Sequence, residues 1–283
     1  MCLCAHPLYQ GSLLSVHDIE CTAPASPRGA EEFAGSHHLV FVRSGVFVKH
    51  IGSRQVVGDP SRVMFFNRGD TYRVSHPIDG GDTCTMITCS SATWAELLSR
   101  HDEAARDREV PFTQTHAPAP MHGMARIQRL RRMLRDGVSE PVAVEEAVTR
   151  VIEAVFANGR RASTKARRSA TRASRRELAE HTALLLSSKP EARHSLSGLA
   201  KTVNASPFHL ARVFREETGG SIHQHLLKLR LALALDRVLD RGDHFSTIAH
   251  SLGFSSHAHF TTAFQRAFGQ PPSAIRAGRW RAS

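Results

Sequence analysis

No stretch of this 283-residue chain approaches the ~18 consecutive apolar residues that a membrane span requires, although 41% of its residues are hydrophobic. The opening "MCLCAHPLYQ" lacks the basic start and long apolar run of a secretory signal. Both absences point to a soluble protein of the cytoplasm with no membrane partner. Cysteine is scarce too: five residues, an odd number, suit a reducing compartment better than a disulfide framework. Cys84 and Cys89 lie an odd number of residues apart in a strand-like run, so their side chains should face opposite ways. Cys2, Cys4 and Cys21 read as ordinary thiols of a frayed terminus, ahead of a thiol or metal site. Acidic charge is short as well. Against 37 Lys and Arg there are 26 Asp and Glu, and the net charge of +11 calls for a polyanionic partner. Charge alone admits anionic membrane, RNA and DNA, so geometry must choose among them.

The length accommodates two domains, each with its own core. From about residue 36 to 92 the pattern is short and alternating. "HLVFV" and "VFVKHI" flank "RSG", "RVMFF" and "TYRVS" flank "NRGD", and "DTCTMITC" follows "HPIDGG". Such β-branched and aromatic clusters between turn residues predict antiparallel hairpins. Several together suggest a small barrel or jelly roll.

Helical spacing follows. "HGMARIQRLRRMLRD" places Met124, Ile127, Leu130 and Leu134 three and four apart, and "VEEAVTRVIEAVF" repeats the pattern with Val148, Ile152 and Val155. These helices either pack on the β domain or pair with a second copy of the chain. Residues 158–176, "NGRRASTKARRSATRASRR", carry no apolar periodicity and are expected to form a basic, flexible linker. An unstructured cationic tether would add sequence-blind phosphate contacts.

The last hundred residues contain a repeat. Leu199, Ala200 and Val203 fall on Ile248, Ala249 and Leu252 at an offset of 49, whereas Ser206, Leu210, Phe214 and Gly219 fall on Ser256, Phe260, Phe264 and Gly269 at an offset of 50. Each copy reads helix, tight turn, helix. Gly253 stands where the first helix must stop in a left-handed conformation that suits glycine, and Asn204 holds the equivalent place in the first copy. Ser206 and Ser256 suit the N-cap of the second helix, and Pro207 its first turn.

Leu210, Val213 and Phe214, then Phe260, Ala263 and Phe264, hold each second helix against the first. That leaves Phe208, His209, Ala211 and Arg212, then His257, Ala258, Thr261 and Thr262, to face outward near the helix N-termini. Such an end suits the DNA major groove, where Arg bonds a guanine edge and Ala or Thr methyls meet a thymine methyl. Together with the two N-cap serines, these residues form the candidate DNA-binding set. Between the copies, "SIHQHLLKLRLALALDRVLD" predicts one long helix of ~27 Å at ~1.5 Å per residue. With the width of the motifs added, two reading helices could enter successive major grooves ~34 Å apart.

Here the chain resembles the AraC/XylS family of bacterial transcription regulators over roughly residues 177 to 279. Ile248, Ala249, Gly253, Phe254, Phe260, Phe264, Gly269, Pro272 and Arg276 carry the resemblance in the second copy, and Leu210, Arg212, Phe214 and Gly219 in "HLARVFREETG" carry it in the first. Thr262 stands where the family often places Arg, which weakens the expectation of a contact there, and Pro271 replaces a frequent Ser or Thr. The hairpin-rich first half looks like the cupin-like sensing domain of many such regulators. Enzymatic cupins hold metal through a His-x-His, a Glu and a later His. His37, His38, His50 and His76 lack that spacing and read as isolated histidines, so no metal, cofactor or catalytic residue is expected.

The resulting expectation is an α+β multidomain fold. A cupin-like antiparallel β-barrel over 1–115 would sense an effector not specified by the sequence, and helices over 116–157 would support dimerisation. The linker over 158–176 would lead to a double helix-turn-helix DNA-binding domain over 177–279. The implied function is a sequence-specific transcription regulator, an activator on family grounds. Its partners would be double-stranded DNA, a small-molecule effector, RNA polymerase by family analogy, and a second copy of the chain. Lys201, Lys228 and the linker arginines would contact phosphate, while Arg212, His209, His257 and Thr261 would set sequence preference. The competing expectations are a cupin-type metalloenzyme with a nucleic-acid-binding tail and an architectural DNA-coating protein.

Overall fold

The structure is a computed structural model that describes residues 2–137, 140–159, 169–240 and 242–278. The chain divides into two compact units, residues 1–161 and 162–283. Among the described residues no helix is long and apolar enough to cross a membrane.

Among its described residues the first unit has ten strands: β1 (Cys2–Gln10), β2 (Leu14–Thr22), β3 (Glu31–Phe33), β4 (His38–Gly45), β5 (Phe47–Ile51), β6 (Arg54–Gly58), β7 (Arg62–Phe66), β8 (Thr71–Ser75), β9 (Asp82–Cys89) and β10 (His116–Pro118). They form a six-stranded antiparallel sheet ordered β1-β2-β9-β4-β7-β10 and a four-stranded one ordered β3-β8-β5-β6. Val40, Val42, Met64, Phe66 and Cys84 from the first sheet share a core with Phe47 and Val56 from the second, so the sheets face each other.

This corrects the expected barrel. Among the described residues no strand ladder joins the two sheets, and the expected hairpins β4/β5 and β7/β8 do not pair. Instead β4 pairs with β7 and β9, while β5 pairs with β6 and β8. The chain changes sheet at each of those turns. One corner is at Gly45, whose φ of +77° and closeness to Gly81 O, 2.2 Å from where a Cβ would stand, exclude a larger residue.

The runs "HLVFV" and "RVMFF" are buried along their whole length. Their inner face meets the second sheet and their outer face meets helices. Trp94 of α1 (Ser91–Ser99) donates from Nε1 to His37 O at 3.0 Å, and Phe156 of α3 (Pro141–Gly159) stacks on Phe65 at 5.4 Å. Lys49 in β5 is fully buried and crosses between the sheets, donating to Phe65 O at 3.0 Å and sitting 3.6 Å over the Phe66 ring. Burial pulls its pKa down to about 8.

The frayed terminus is a second correction. β1 and β2 form a hairpin, with Cys4 opposite Glu20 and Cys21 buried. Pro7 is tolerated because β1 is an edge strand, where a missing N–H costs no ladder bond, and Pro118 occupies the opposite edge. On the helical side, α2 (Met121–Arg135) and α3 bury Met124, Ile127, Leu130, Leu134, Val148, Ile152 and Val155 within this unit. Those apolar stripes pack within the chain, so they are not left for a second copy. Asp18 of β2, 1% exposed, anchors α2 by accepting from Arg131 Nε at 2.6 Å and Arg135 Nη2 at 3.1 Å.

The second unit opens with α4 (Ser169–Ser188), so residues 169–176 of the expected linker are helical. Ala and Arg favour helix, and Arg175 on this turn pairs with Glu216 and, at 3.2 Å, with Glu217. Residues 160–168 of that linker lie outside the described residues. Among the described residues six helices follow: α5 (Leu196–Thr202), α6 (Pro207–Thr218), α7 (Ile222–Leu239), α8 (Phe245–Ser251), α9 (His257–Phe268) and α10 (Pro272–Arg276). Ala179, Ala183 and Leu186 of α4 join Leu199, Leu210, Phe214, Leu226 and Leu229 in one core.

Candidate nucleic-acid interface

The pairs α5/α6 and α8/α9 are built alike. Asn204 (φ 51°) and Gly253 (φ +74°) end the first helix of each pair in the left-handed region. The next residue then bonds back into that helix, Ala205 N to Ala200 O at 2.9 Å and Phe254 N to Ala249 O at 3.0 Å. Ser206 Oγ caps α6 by accepting from His209 N at 3.3 Å, and Ser256 Oγ caps α9 by accepting from His259 N at 3.0 Å. Gly219 and Gly269 close both second helices in the left-handed region, with φ of 77° and 75°. The change of offset from 49 to 50 therefore falls on Ser255, whose Oγ lies 3.0 Å from His259 Nδ1.

Gly253 is needed for a reason absent from the first copy. A Cβ there would stand 2.3 Å from Glu191 O and 2.8 Å from Arg230 Nη2. Arg230 of α7 donates to Pro190 O at 2.7 Å, Gly253 O at 2.8 Å and Ala192 O at 2.9 Å. One guanidinium thus ties the segment before α5 to the turn of the second pair, and its desolvation lowers its pKa. Sequence reasoning missed this residue; its only signal was an arginine inside the leucine-rich run "LLKLRLALAL".

Leu210, Val213 and Phe214 of α6 and Phe260, Phe264 and Phe268 of α9 are buried. The opposite side of each N-terminus reaches the surface. Ser206, His209, Arg212, Ser256, His257, Ala258 and Thr262 are exposed, Ala211 and Thr261 are half-buried, and Phe208 is 88% exposed. Arg212 Nη2 lies 3.4 Å from His209 Nδ1, and Thr261 Oγ1 lies 3.5 Å from His257 Nε2. The His257 ring stacks on Phe245, which carries the Arg276 guanidinium 3.9 Å above it. Lys201 and Lys228 are exposed. Charge is divided unevenly: residues 1–161 hold 18 basic and 18 acidic side chains, while residues 162–283 hold 19 basic against 8 acidic, so the whole +11 belongs to the second unit.

In the first unit the four singled-out histidines have separate surroundings. His37 Nδ1 accepts from Arg68 N at 3.1 Å, His38 stacks on Phe66 at 4.7 Å, and His50 Nε2 lies 2.7 Å from Ser75 Oγ. His76 is not isolated: it meets Cys21 and Asp82 in a buried group with the spacing of metal ligands. Between the sheets, side chains of both pack into one core. An open groove of about 450 Å³ lies elsewhere, between the β1–β2 turn at Tyr9 and Gly11 and the start of α3 at Pro141 and Glu145.

Residues 199–278 match a family described as a helix-turn-helix domain. The HTH-type transcriptional activator RhaS of Pectobacterium atrosepticum is 38% identical over 79 residues, 28% of this chain and 28% of that protein. The urease operon transcriptional activator of Escherichia coli is 32% identical over 92 residues, 32% of this chain and 31% of its own length. The chain thus spans under a third of the length of these curated relatives. The structure of ToxT from Vibrio cholerae aligns with 94% of this chain and 98% of its own at 13% identity and a TM-score of 0.36. Over residues 199–278 the chain is therefore similar to a helix-turn-helix domain family and to HTH-type transcriptional regulators.

Proposed function

We propose that the protein is a sequence-specific DNA-binding transcription regulator whose α5/α6 and α8/α9 pairs act as two helix-turn-helix motifs. The observation that carries this reading is the asymmetry of α6 and α9: an inward face of buried Leu210, Val213 and Phe214 or Phe260, Phe264 and Phe268, and a largely exposed outward N-terminal end, within the unit that holds all the net positive charge. Arg212, His209, His257 and Thr261 read base edges, and the backbone N–H groups behind the Ser206 and Ser256 caps approach phosphate. Phe208 and Ala258 offer apolar contact to thymine methyls, Ala211 and Thr262 flank them, and Lys201 and Lys228 neutralise phosphates. α7, 18 residues long, spaces the two reading helices for successive major grooves.

The first unit serves as a cupin-like sensing domain for a small effector, and the relatives' names favour activation. RNA polymerase and a second copy of the chain are its further partners by the family resemblance. A homodimer would use outward faces of α2 and α3, because their apolar stripes are consumed within the chain. The metalloenzyme reading draws on the Cys21–His76–Asp82 group, but each member is under 9% exposed and a substrate could not reach it. Selection of bound fragments from random DNA tests the proposal: an enriched motif with two half-sites one helical turn apart is expected. Uniform affinity across sequences would overturn it in favour of an architectural role.

A further inference from the structure

We propose that Cys21, His76, Asp82 and Cys84 form a binding site for one divalent cation of the zinc class. Cys21 on β2 is directly paired with Asp82 on β9, so both side chains leave the same face of the sheet, and Cys84, two residues along, shares it. His76 arrives from beyond β8 in the other sheet, held by Ser26 N donating to His76 O at 2.9 Å. The close passage of Gly81 under Cys21 O, 1.8 Å from where a Cβ would stand, keeps the two strands in this register. All four side chains are buried.

The geometry separates a metal site from a nucleophilic relay. In a Cys–His–Asp relay, thiol and carboxylate hold opposite nitrogens of the imidazole. Here both converge on one nitrogen: His76 Nε2 lies 2.9 Å from Asp82 Oδ1 and 3.5 Å from Cys21 Sγ. The donor atoms of Cys21, His76 and Asp82 lie within 4.8 Å of one another. With bonds of about 2.0–2.3 Å, tetrahedral zinc sets its N and S ligands about 3.5 Å apart and N and O about 3.3 Å apart. The first separation is already met, and the second needs a small opening. Cys84 Sγ, donating to Asp82 Oδ2 at 3.0 Å, stands outside that 4.8 Å group and has to swing inward to supply the fourth donor. Binding releases the two thiol protons to solvent, shifts the proton of the His76–Asp82 hydrogen bond to His76 Nδ1, and replaces that bond with two metal bonds. The ion then links both sheets.

Cobalt(II) chloride, titrated into the reduced, chelator-treated full-length protein, tests this. A thiolate-to-cobalt band with tetrahedral visible bands should saturate at one equivalent and bleach on adding zinc. Cys21→Ser and His76→Gln should each weaken binding by at least about 100-fold, more than the loss of an outer-shell partner. His250→Gln, in the other unit, should leave it unchanged. Absence of a saturable thiolate band in the folded wild-type protein overturns the proposal outright, whatever the variants do. An unchanged midpoint of that band in Cys21→Ser overturns it too. Neither result bears on DNA binding.

Discussion

Arg212 and Gly253 show two ways in which one side chain, or its lack, decides behaviour. Arg212 is exposed and its guanidinium lies beside the His209 ring, one turn earlier on the same helix. Removing it should leave folding intact, and in the proposed complex Arg212→Ala should cost about 1–3 kcal/mol on the selected sequence and much less on random DNA. Binding isotherms on both DNAs check this, and equal losses would reduce Arg212 to a positioning contact. Gly253→Ala acts on stability instead, because it adds a Cβ at positive φ against Glu191 O. The expected loss is about 2–4 kcal/mol, whereas Asn204→Ala, at an exposed turn, should lose only about 1 kcal/mol. Urea unfolding of the full chain, followed at the helical transition, distinguishes the two. His38 supplies a pH dependence. Burial holds its pKa at about 4, so between pH 6.5 and 4 the unfolded chain takes up a proton that the folded one refuses. Stability of the first unit is therefore complete above pH 6.5 and drains as pH falls, at up to about 1.4 kcal/mol per pH unit from this residue. His38→Phe, which keeps a ring on Phe66, should make the decline shallower in unfolding curves taken across that range.

At the scale of elements, the helical unit depends on α7 and its arginine. Lysine at 230 could reach one of the three carbonyls now bonded by Arg230 and would strand the others. Arg230→Lys should lower stability by about 2–4 kcal/mol and weaken binding to a two-half-site DNA more than to a single half-site. Equal weakening on both would remove its part in aligning the pairs. The elements also show what a linear reading reaches. Caps, turn glycines and the extra residue at Ser255 follow from chemistry within a few positions, and their places are legible. So are β4, β5, β7, β8 and β9, through their β-branched and aromatic content. The partnering of those strands is hidden, because a tight Gly-containing link fits a hairpin and a change of sheet equally well. Likewise Cys21 and Asp82 meet only through the β2–β9 register, His76 joins them only through its bridge to Ser26, and Arg230 is placed only through three carbonyls remote in the chain.

For the molecule as a whole, the partition of charge is the governing fact. Phosphate binding releases counterions in proportion to the cationic side chains engaged, and the net excess lies entirely in residues 162–283. Replacing exposed Asp107 and Glu109 of the first unit by Lys raises the protein's charge yet should leave the slope of log affinity against log salt unaltered. Replacing Lys201 and Lys228 by Gln should flatten that slope by about two. Fluorescence anisotropy at several salt concentrations measures both.

An electroneutral first unit neither pulls the protein toward nucleic acid nor pushes it away. If that unit senses an effector, as proposed, its message has to travel as a change of shape or contact, since it has no surplus field of its own to raise or lower. In the proposed complex, exchanging it for a different domain would leave the grip on DNA governed by the same ionic conditions.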